Sequence, residues 1–222
     1  MVKTLKQAGG PARRGTPPDA WLHRTQVARD AAFAAWGVLE PVRTRAGRPG
    51  LRVARQHHAT LVASDGLADP DGRVEQNGLG LEVFAITRAQ ESMPGSWLGD
   101  LVRAVSQQAV RHAGLGPLLS ELGALTVELY DVAIPAAHRA RFVTREARVC
   151  VLLGLTDVEV PEVVEGPLAP IRLVNVKLLT VDELAFVLEG GNPARQSLMS
   201  RFRRQGDVLA SSLERDSVAK RG

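Results

Sequence analysis

The pattern of apolar and polar positions predicts a buried strand from Gly78 to Ile86. Apart from Glu82, the residues on both of its faces are mostly apolar, which is typical of a central strand covered on both sides. Gly78 and Gly80 at its start would allow a bulge or another backbone segment to come close. We expect the other elements to be arranged around this strand.

Further strands are predicted before and after this segment. Residues 125–130 alternate between apolar and polar side chains, as in a half-exposed sheet, whereas residues 149–153 are apolar throughout. Residues 51–64 are expected to form one or two strands, and residues 171–179 another. Residues 208–213 fit either a strand or a helix.

Two helices are predicted in the first half of the chain. Thr16 can cap the first helix, which should end near Gly37. Ser96 can cap the second, which should run to about Ala113 and carry His112 in its buried stripe.

Two more helices are predicted near the C-terminus. Thr180 and Glu183 have the spacing of a capping box, which opens a helix over residues 181–188. A further helix should follow at about residues 192–204, with its arginines pointing outward. Residues 116–117, a Gly-Pro pair, predict a loose connection instead of a helix.

Length and composition favour one domain. The chain has 222 residues, 45% of them hydrophobic, which suits a domain over residues 16–217 with flexible tails at 1–15 and 218–222. No apolar run reaches about 18 residues, and the N-terminus lacks the features of a signal peptide. The single cysteine excludes an internal disulfide, which fits a reducing cytoplasm. Together these features lead us to expect a cytoplasmic protein with no membrane segment.

Charge is concentrated in two segments of a chain with a net charge of +4. Residues 41–64 contain no acidic side chain, and their arginines are Arg43, Arg45, Arg48, Arg52 and Arg55. This run fits either a solvated strand edge or a surface for an anionic partner. Residues 157–165, here called the acidic segment, contain no positive charge. The acidic segment either faces a basic partner or pairs with the protein's own arginines.

Residue patterns do not support a catalytic site, a metal centre or a cofactor site. Cys150 lies inside an apolar strand, where a thiol is usually inert. His57 and His58 are adjacent, so on a strand they would point to opposite faces and could not easily bind one ion. Residues 78–80 precede a strand, whereas a phosphate-binding loop follows one.

Glu82 is the one charged residue of the predicted central strand. A carboxylate in a core costs several kcal/mol unless it is paired, protonated or exposed. We expect an ion pair with an arginine such as Arg55 or Arg215. A contact with a partner and a role as a catalytic acid are the alternatives.

Five short motifs, in this order and spacing, resemble the suppressor of fused family. They are residues 57–67, where the family has a His- and aromatic-containing strand that runs into a turn, 78–83 (Gly-Leu-Gly-Leu-Glu-Val), 94–97 (Pro-Gly-Ser-Trp), 173–184 and 215–217 (Arg-Asp-Ser). Leu79 stands where the family usually has an aromatic residue, so the chain resembles a divergent member. The resemblance implies a single α/β (α+β) domain with a mixed, largely antiparallel sheet flanked by helices.

The resemblance also implies a binding protein and not an enzyme. The resemblance to bacterial domains of the immunity-protein type implies that the partner is another protein, and specifically a toxin domain that is neutralised by occlusion. The alternatives are a basic nucleic-acid-associated protein that uses residues 43–55 and 195–204, and an enzyme of unrecognised type. The candidate partner-binding residues are Asp65, Glu82, Asp157, Glu159, Glu162, Glu165 and Arg215.

Overall fold

The computed structural model describes residues 18–40, 43–45, 48–70, 77–91, 95–112 and 114–219. The first half of the chain forms α1 (Pro18–Trp36), β1 (Val38–Leu39), β2 (Arg43–Arg45), β3 (Arg48–Gln56), β4 (Ala59–Asp65), β5 (Leu81–Thr87) and α2 (Trp97–Arg111). The second half forms α3 (Leu115–Leu122), β6 (Leu125–Leu129), α4 (Arg139–Phe142), β7 (Val149–Leu153), β8 (Val163–Val164), β9 (Ile171–Leu179) and α5 (Val181–Gln205). A 3₁₀ turn over Ala136–His138 precedes α4.

The strands of the described residues form one mixed sheet. Its order is β1-β3-β4-β5-β9-β7-β6, with β2 paired to β3 and β8 paired to β9. β5 and β9 are parallel, and the other pairs are antiparallel. The parallel pair needs a long crossover, which the chain from α2 to β8 provides. This confirms the predicted α+β fold with a mixed, largely antiparallel sheet in a single domain.

β5 lies at the centre of the sheet, between β4 and β9, and all its residues are buried. Phe84 and Ile86 pack into a cluster with residues of α1 and α5. Leu81, Val83 and Ala85 pack into a second cluster with residues of α2. The prediction of a central strand covered on both faces is therefore confirmed.

The glycines before β5 form a turn and not the start of the strand, which begins at Leu81. Gly78 has a φ of 42°, and a Cβ atom there would lie 2.4 Å from the Leu67 carbonyl oxygen and 2.6 Å from that of Asp69. A glycine is needed because this other backbone segment passes so closely, as the sequence suggested.

Local capping signals were confirmed at two helices. The Ser96 hydroxyl accepts a hydrogen bond from the Gly99 amide at 3.2 Å at the start of α2. The Glu183 amide donates to the Thr180 hydroxyl at 3.2 Å, and the Thr180 amide donates to the Glu183 carboxylate at 2.8 Å. The two predicted C-terminal helices adjoin at Gly191, whose φ of 58° and ψ of −138° interrupt the helical path of α5.

Three local predictions were wrong. His112 is exposed, because it lies past the last turn of α2. Residues 116–117 belong to α3, where Pro117 is tolerated since a first-turn residue needs no helical N–H bond. His57 and His58 occupy the turn between β3 and β4 and do not lie on a strand.

The chain ends agree only in part with the sequence predictions. The predicted cap Thr16 lies outside the described residues. Residues 208–213 form neither a helix nor a long strand, and only Ala210 makes a β-bridge, to Ile86. Val218, assigned from sequence to a flexible tail, is 9% exposed and packs against the core.

Among the described helices, none is long and apolar enough to cross a membrane.

Candidate protein-binding surface

Two of the candidate residues, Asp65 and Glu82, belong to a buried ion cluster around Arg29. Arg29 is 1% exposed and lies on the core-facing side of α1. Its guanidinium donates to Glu82 at 2.6 Å, to Asp69 at 2.7 Å and to Asp65 at 2.8 Å. Glu82 therefore pairs with Arg29, and the predicted pairing with Arg55 or Arg215 was wrong.

The remaining hydrogen-bond acceptor capacity of Glu82 is used within the fold. The amides of Gly66 and Ala68 donate to its carboxylate at 3.1 and 3.0 Å, and the Ser64 hydroxyl donates to it as well. Burial raises the pKa of Glu82, while the Arg29 charge and these hydrogen bonds act to lower it. Because Glu82 is fully buried, its ion pair and hydrogen bonds hold elements of the fold together.

Arg215 also bonds within the fold. Its guanidinium donates to both oxygens of Glu183 at 2.5 Å and to the Leu178 carbonyl at 2.7 Å. Glu183 accepts a further bond from the Val218 amide at 2.9 Å. These bonds tie the C-terminal segment to the start of α5.

Two carboxylates of the acidic segment pair with the protein's own arginines. Arg88 donates to both oxygens of Glu159, at 2.7 and 2.9 Å, and the Trp36 indole donates to the same carboxylate at 2.9 Å. Burial acts to raise the pKa of Glu159, but these bonds lower it. Glu162 pairs with Arg172 at 3.0 Å.

Asp157 and Glu165, the other two acidic candidates, are exposed and form no ion pair among the described residues. Asp157 accepts only a long bond, 3.4 Å, from the Glu159 amide of its own loop. Between them, Val158 is fully exposed and Val163 is 46% exposed. The segment thus presents uncompensated negative charge together with apolar side chains.

An open groove of about 490 Å³ lies between α1 and the C-terminal end of the acidic segment. Its residues are His23, Arg24, Val27 and Ala28 on α1, and Glu165, Gly166 and Pro167 on the opposite wall. Val27 is 53% exposed at this groove. A groove that joins apolar side chains and charges of both signs is suited to contact with another protein.

The described residues contain no cluster of three or more His, Cys, Asp or Glu side chains that could hold a metal ion. Cys150 is 2% exposed, and burial raises the pKa of its thiol to about 12. A thiol with this pKa carries very little thiolate at neutral pH.

Comparison with known proteins identifies the fold. A chain of a solved structure described as the Sufu-Fu complex matches 89% of this chain and 91% of its own length, with a TM-score of 0.57 and 13% identity. The chain has the suppressor-of-fused fold. A crystal structure of Drosophila Suppressor of Fused matches 82% of this chain and 44% of its own length, with a TM-score of 0.45 and 14% identity. No family model and no curated protein matches the sequence.

Sequence reasoning missed Arg29 and the groove. Arg29 shares a helix face with Thr25, Phe33 and Trp36, all of which are buried. A charged residue at a core position of a helix was the available signal, because such a residue requires a buried partner. The groove brings together residues about 140 positions apart in the sequence, and no local pattern indicates it.

Proposed function

We propose that this protein is a non-catalytic protein-binding module that occludes its partner, and that the partner is a toxin which the protein neutralises as an immunity protein. The observation that carries the proposal is the exposed acidic segment, where Asp157 and Glu165 have no ion pair among the described residues and Val158 is fully exposed. The suppressor-of-fused fold supports it, since the similar structure is described as a complex of Sufu with Fu.

The proposed mechanism is steric blocking. A stable protein–protein interface of standard size buries about 1,600 Å² of accessible surface in total. The groove and the acidic segment would form part of that surface. The free carboxylates would attract a basic surface and raise the association rate, while Val158 and Val163 would supply apolar contact. The acidic segment would in this way stand in for an anionic substrate of the toxin.

Four of the described arginines do not support the alternative of a nucleic-acid surface, whereas Arg203 and Arg204 on α5 are exposed. Arg52 pairs with Asp30 at 2.9 Å, and Arg55 donates to the Glu91 carbonyl at 2.8 Å. Arg195 and Arg201 donate to backbone carbonyls at 3.0 and 2.8 Å. These side chains contribute to the fold, which leaves fewer of them to contact phosphates.

The test is a pull-down of the tagged protein from its source cells, with proteins identified by mass spectrometry and nucleic acid assayed in the same eluate. We expect one stoichiometric protein partner whose toxicity is suppressed by the tagged protein. The double variant Asp157→Lys/Glu165→Lys should reduce its association rate at least tenfold, whereas Glu121→Lys on the exposed side of α3 should not. An eluate with nucleic acid alone would refute the proposal.

A further inference from the structure

The last described part of the chain, residues 207–219, is here called the C-terminal strap. It crosses the sheet at the place where β5 and β9 stop pairing with each other. The last paired residues of these two strands are Phe84 and Asn175. Beyond that point, Ala210 of the strap makes a β-bridge to Ile86 of β5. The strap therefore fills a slot between two strands and does not extend an edge of the sheet.

Side chains make most of the hydrogen bonds that hold the C-terminal strap to β9. The Asn175 amide group donates to the Leu209 carbonyl at 3.0 Å. The Ser211 hydroxyl accepts from the Leu178 amide at 2.9 Å. Lys177 donates to two further carbonyls of the strap. Since a strand inside a sheet is held by a ladder of backbone bonds, a strap held by side chains can leave without breaking the ladders of its neighbours.

Two cations lie close together under the strap. The Lys177 ammonium is 4.8 Å from the centre of the Phe202 ring, and the Arg215 guanidinium is 5.1 Å from the same centre. Arg215 donates to both oxygens of Glu183. Lys177, which is 2% exposed, has no carboxylate at bonding distance among the described residues. Burial of a charge without a counter-charge is strongly unfavourable, so the closed strap favours the neutral form of Lys177.

The charged groups that face Lys177 belong to the strap and to two other parts of the chain. Burial and the charge of Arg215 on the strap lower the pKa of Lys177 to about 7 from 10.5. Asp207 on the strap and Glu183 on α5 act to raise this pKa, whereas Arg88, just past β5, acts to lower it. When the strap is open, water reaches Lys177 and Arg215 moves away. The open form therefore holds a proton on Lys177 more tightly than the closed form does.

We propose that the C-terminal strap is a proton-sensitive device, which leaves its slot as one unit and does so more readily at lower pH. The hinge is Gly206, whose φ of 83° ends α5 in a left-handed turn directly before the strap. Residues 208–210 are buried in the core, so the open form is a minor state of the folded chain. Its opening constant should rise about tenfold from pH 8 to pH 6, because opening takes up a proton on Lys177.

Arg88 connects the strap to the acidic segment. Its guanidinium donates to Asp207 on the strap at 3.1 Å and to Glu159 on the acidic segment at 2.7 and 2.9 Å. Opening of the strap removes Asp207 from this bridge, so the acidic segment is held less firmly in the open form. Regulation of partner binding by this route rests on the proposed function, whereas the opening of the strap does not.

The first experiment is hydrogen exchange of the full chain, read by mass spectrometry at pH 6, 7 and 8 in peptides from the strap and from β7. Each exchange rate is divided by the rate of an unprotected amide at the same pH. We expect the strap amides to exchange at least about tenfold faster than the β7 amides, because the strap opens without the sheet. The opening constant of the strap should rise about tenfold from pH 8 to pH 6.

Two variants assign the pH dependence to a residue. In Lys177→Met, the opening constant of the strap should change less than about twofold over the same pH range, since no proton is taken up there. His138→Gln is the matched control, because the His138 ring lies 3.4 Å from Glu214 of the strap and also titrates near neutral pH. This control should keep the tenfold rise.

The second experiment separates the strap from the sheet by thiol labelling and does not need Lys177→Met to fold. Ala210 is 3% exposed on the strap, and the native Cys150 is 2% exposed on β7. In the variant Ala210→Cys, both thiols are therefore followed in one molecule. At pH 7 we expect the new thiol to react at least about tenfold faster than Cys150, because the strap opens more often than the sheet.

Several results would overturn the proposal. Equal exchange of the strap and β7 amides, or equal labelling of the two thiols, would show that the strap opens only when the whole chain unfolds. An opening constant that does not change with pH would refute the proton-sensitive device. A pH dependence that persists in Lys177→Met, or that disappears in His138→Gln, would refute the role of Lys177. Neither experiment includes a partner, so failure of the pull-down and failure of the strap are distinguishable.

Discussion

The Arg29 cluster and the acidic segment contain similar carboxylates in very different surroundings. Glu82 is fully buried and bonds to Arg29, Ser64 and two backbone amides. Glu159 also pairs with an arginine, but at the edge of solvent, where the Arg88 side chain is 42% exposed. Water and ions screen the Arg88–Glu159 pair but not the Arg29–Glu82 pair. The buried pair therefore stabilises the fold, whereas the partly exposed pair remains part of the protein surface.

The largest effect is expected from removing the positive charge of the buried cluster. Arg29→Met should destabilise the protein by about 3–5 kcal/mol, because it leaves Glu82 buried without its counter-charge. Denaturant unfolding followed by tryptophan fluorescence measures this. Arg111→Met, at an exposed position of α2, is the control and should cost less than about 1 kcal/mol.

The double variant Arg29→Met/Glu82→Gln isolates the pair from the lost packing. Its loss of stability should be smaller than the sum of the two single losses by about 1–3 kcal/mol. Additive losses would mean that the two charges do not interact, and the comparison between the two regions would then fail.

The next largest loss of stability is expected at Gly78, which packs closely against the turn whose Ala68 amide donates to Glu82. Gly78→Ala should destabilise the protein by roughly 2 kcal/mol more than Gly80→Ala does. Both glycines have positive φ, but a Cβ at Gly78 would collide with the Leu67 and Asp69 carbonyls, whereas a Cβ at Gly80 meets nothing within 4 Å. Equal thermal stability of the two variants would exclude the close backbone approach.

A second buried cation, Lys177, has no carboxylate at bonding distance among the described residues. Lys177 is 2% exposed and donates to the carbonyls of Asp207, at 2.9 Å, and Ala210. Burial lowers its pKa to about 7 from 10.5. Between these values the unfolded chain holds the proton more tightly than the folded chain, so this residue makes stability rise with pH above about 7.

The measurement is the free energy of unfolding at several pH values from about 7 to 8, below the ordinary pKa of 9.0 at which the Cys150 thiol titrates in the unfolded chain. Lys177→Met should reduce the slope by up to about 1 kcal/mol per pH unit. The slope is the informative quantity, because the variant also leaves two carbonyls without a donor. An unchanged slope would place the pKa of Lys177 near its ordinary value.

The smallest effect is expected in the acidic segment. Glu159→Gln should destabilise the protein by less than about 1 kcal/mol, and the difference should shrink at high salt, because the pair with Arg88 is partly exposed. Urea unfolding at two salt concentrations measures it. A loss as large as that of Arg29→Met would show that this pair, too, is structural.

Local signals were enough to predict most elements of the fold. The Ser96 cap, the Thr180–Glu183 capping box and the apolar run of β5 depend on residues close in sequence, and all three were confirmed. His112 and residues 116–117 were predicted wrongly because the end of a helix depends on the next packed element as well as on its own spacing.

By itself, the sequence determined that Glu82 needs a partner, that the glycine before β5 meets another backbone segment, and that residues 157–165 carry negative charge. Only the tertiary structure decided that the partner is Arg29, 53 residues away, and that Glu159 is neutralised while Asp157 is not. The reason is that apolar periodicity and caps act between neighbours in the chain, whereas ion pairs and grooves depend on how distant elements pack together.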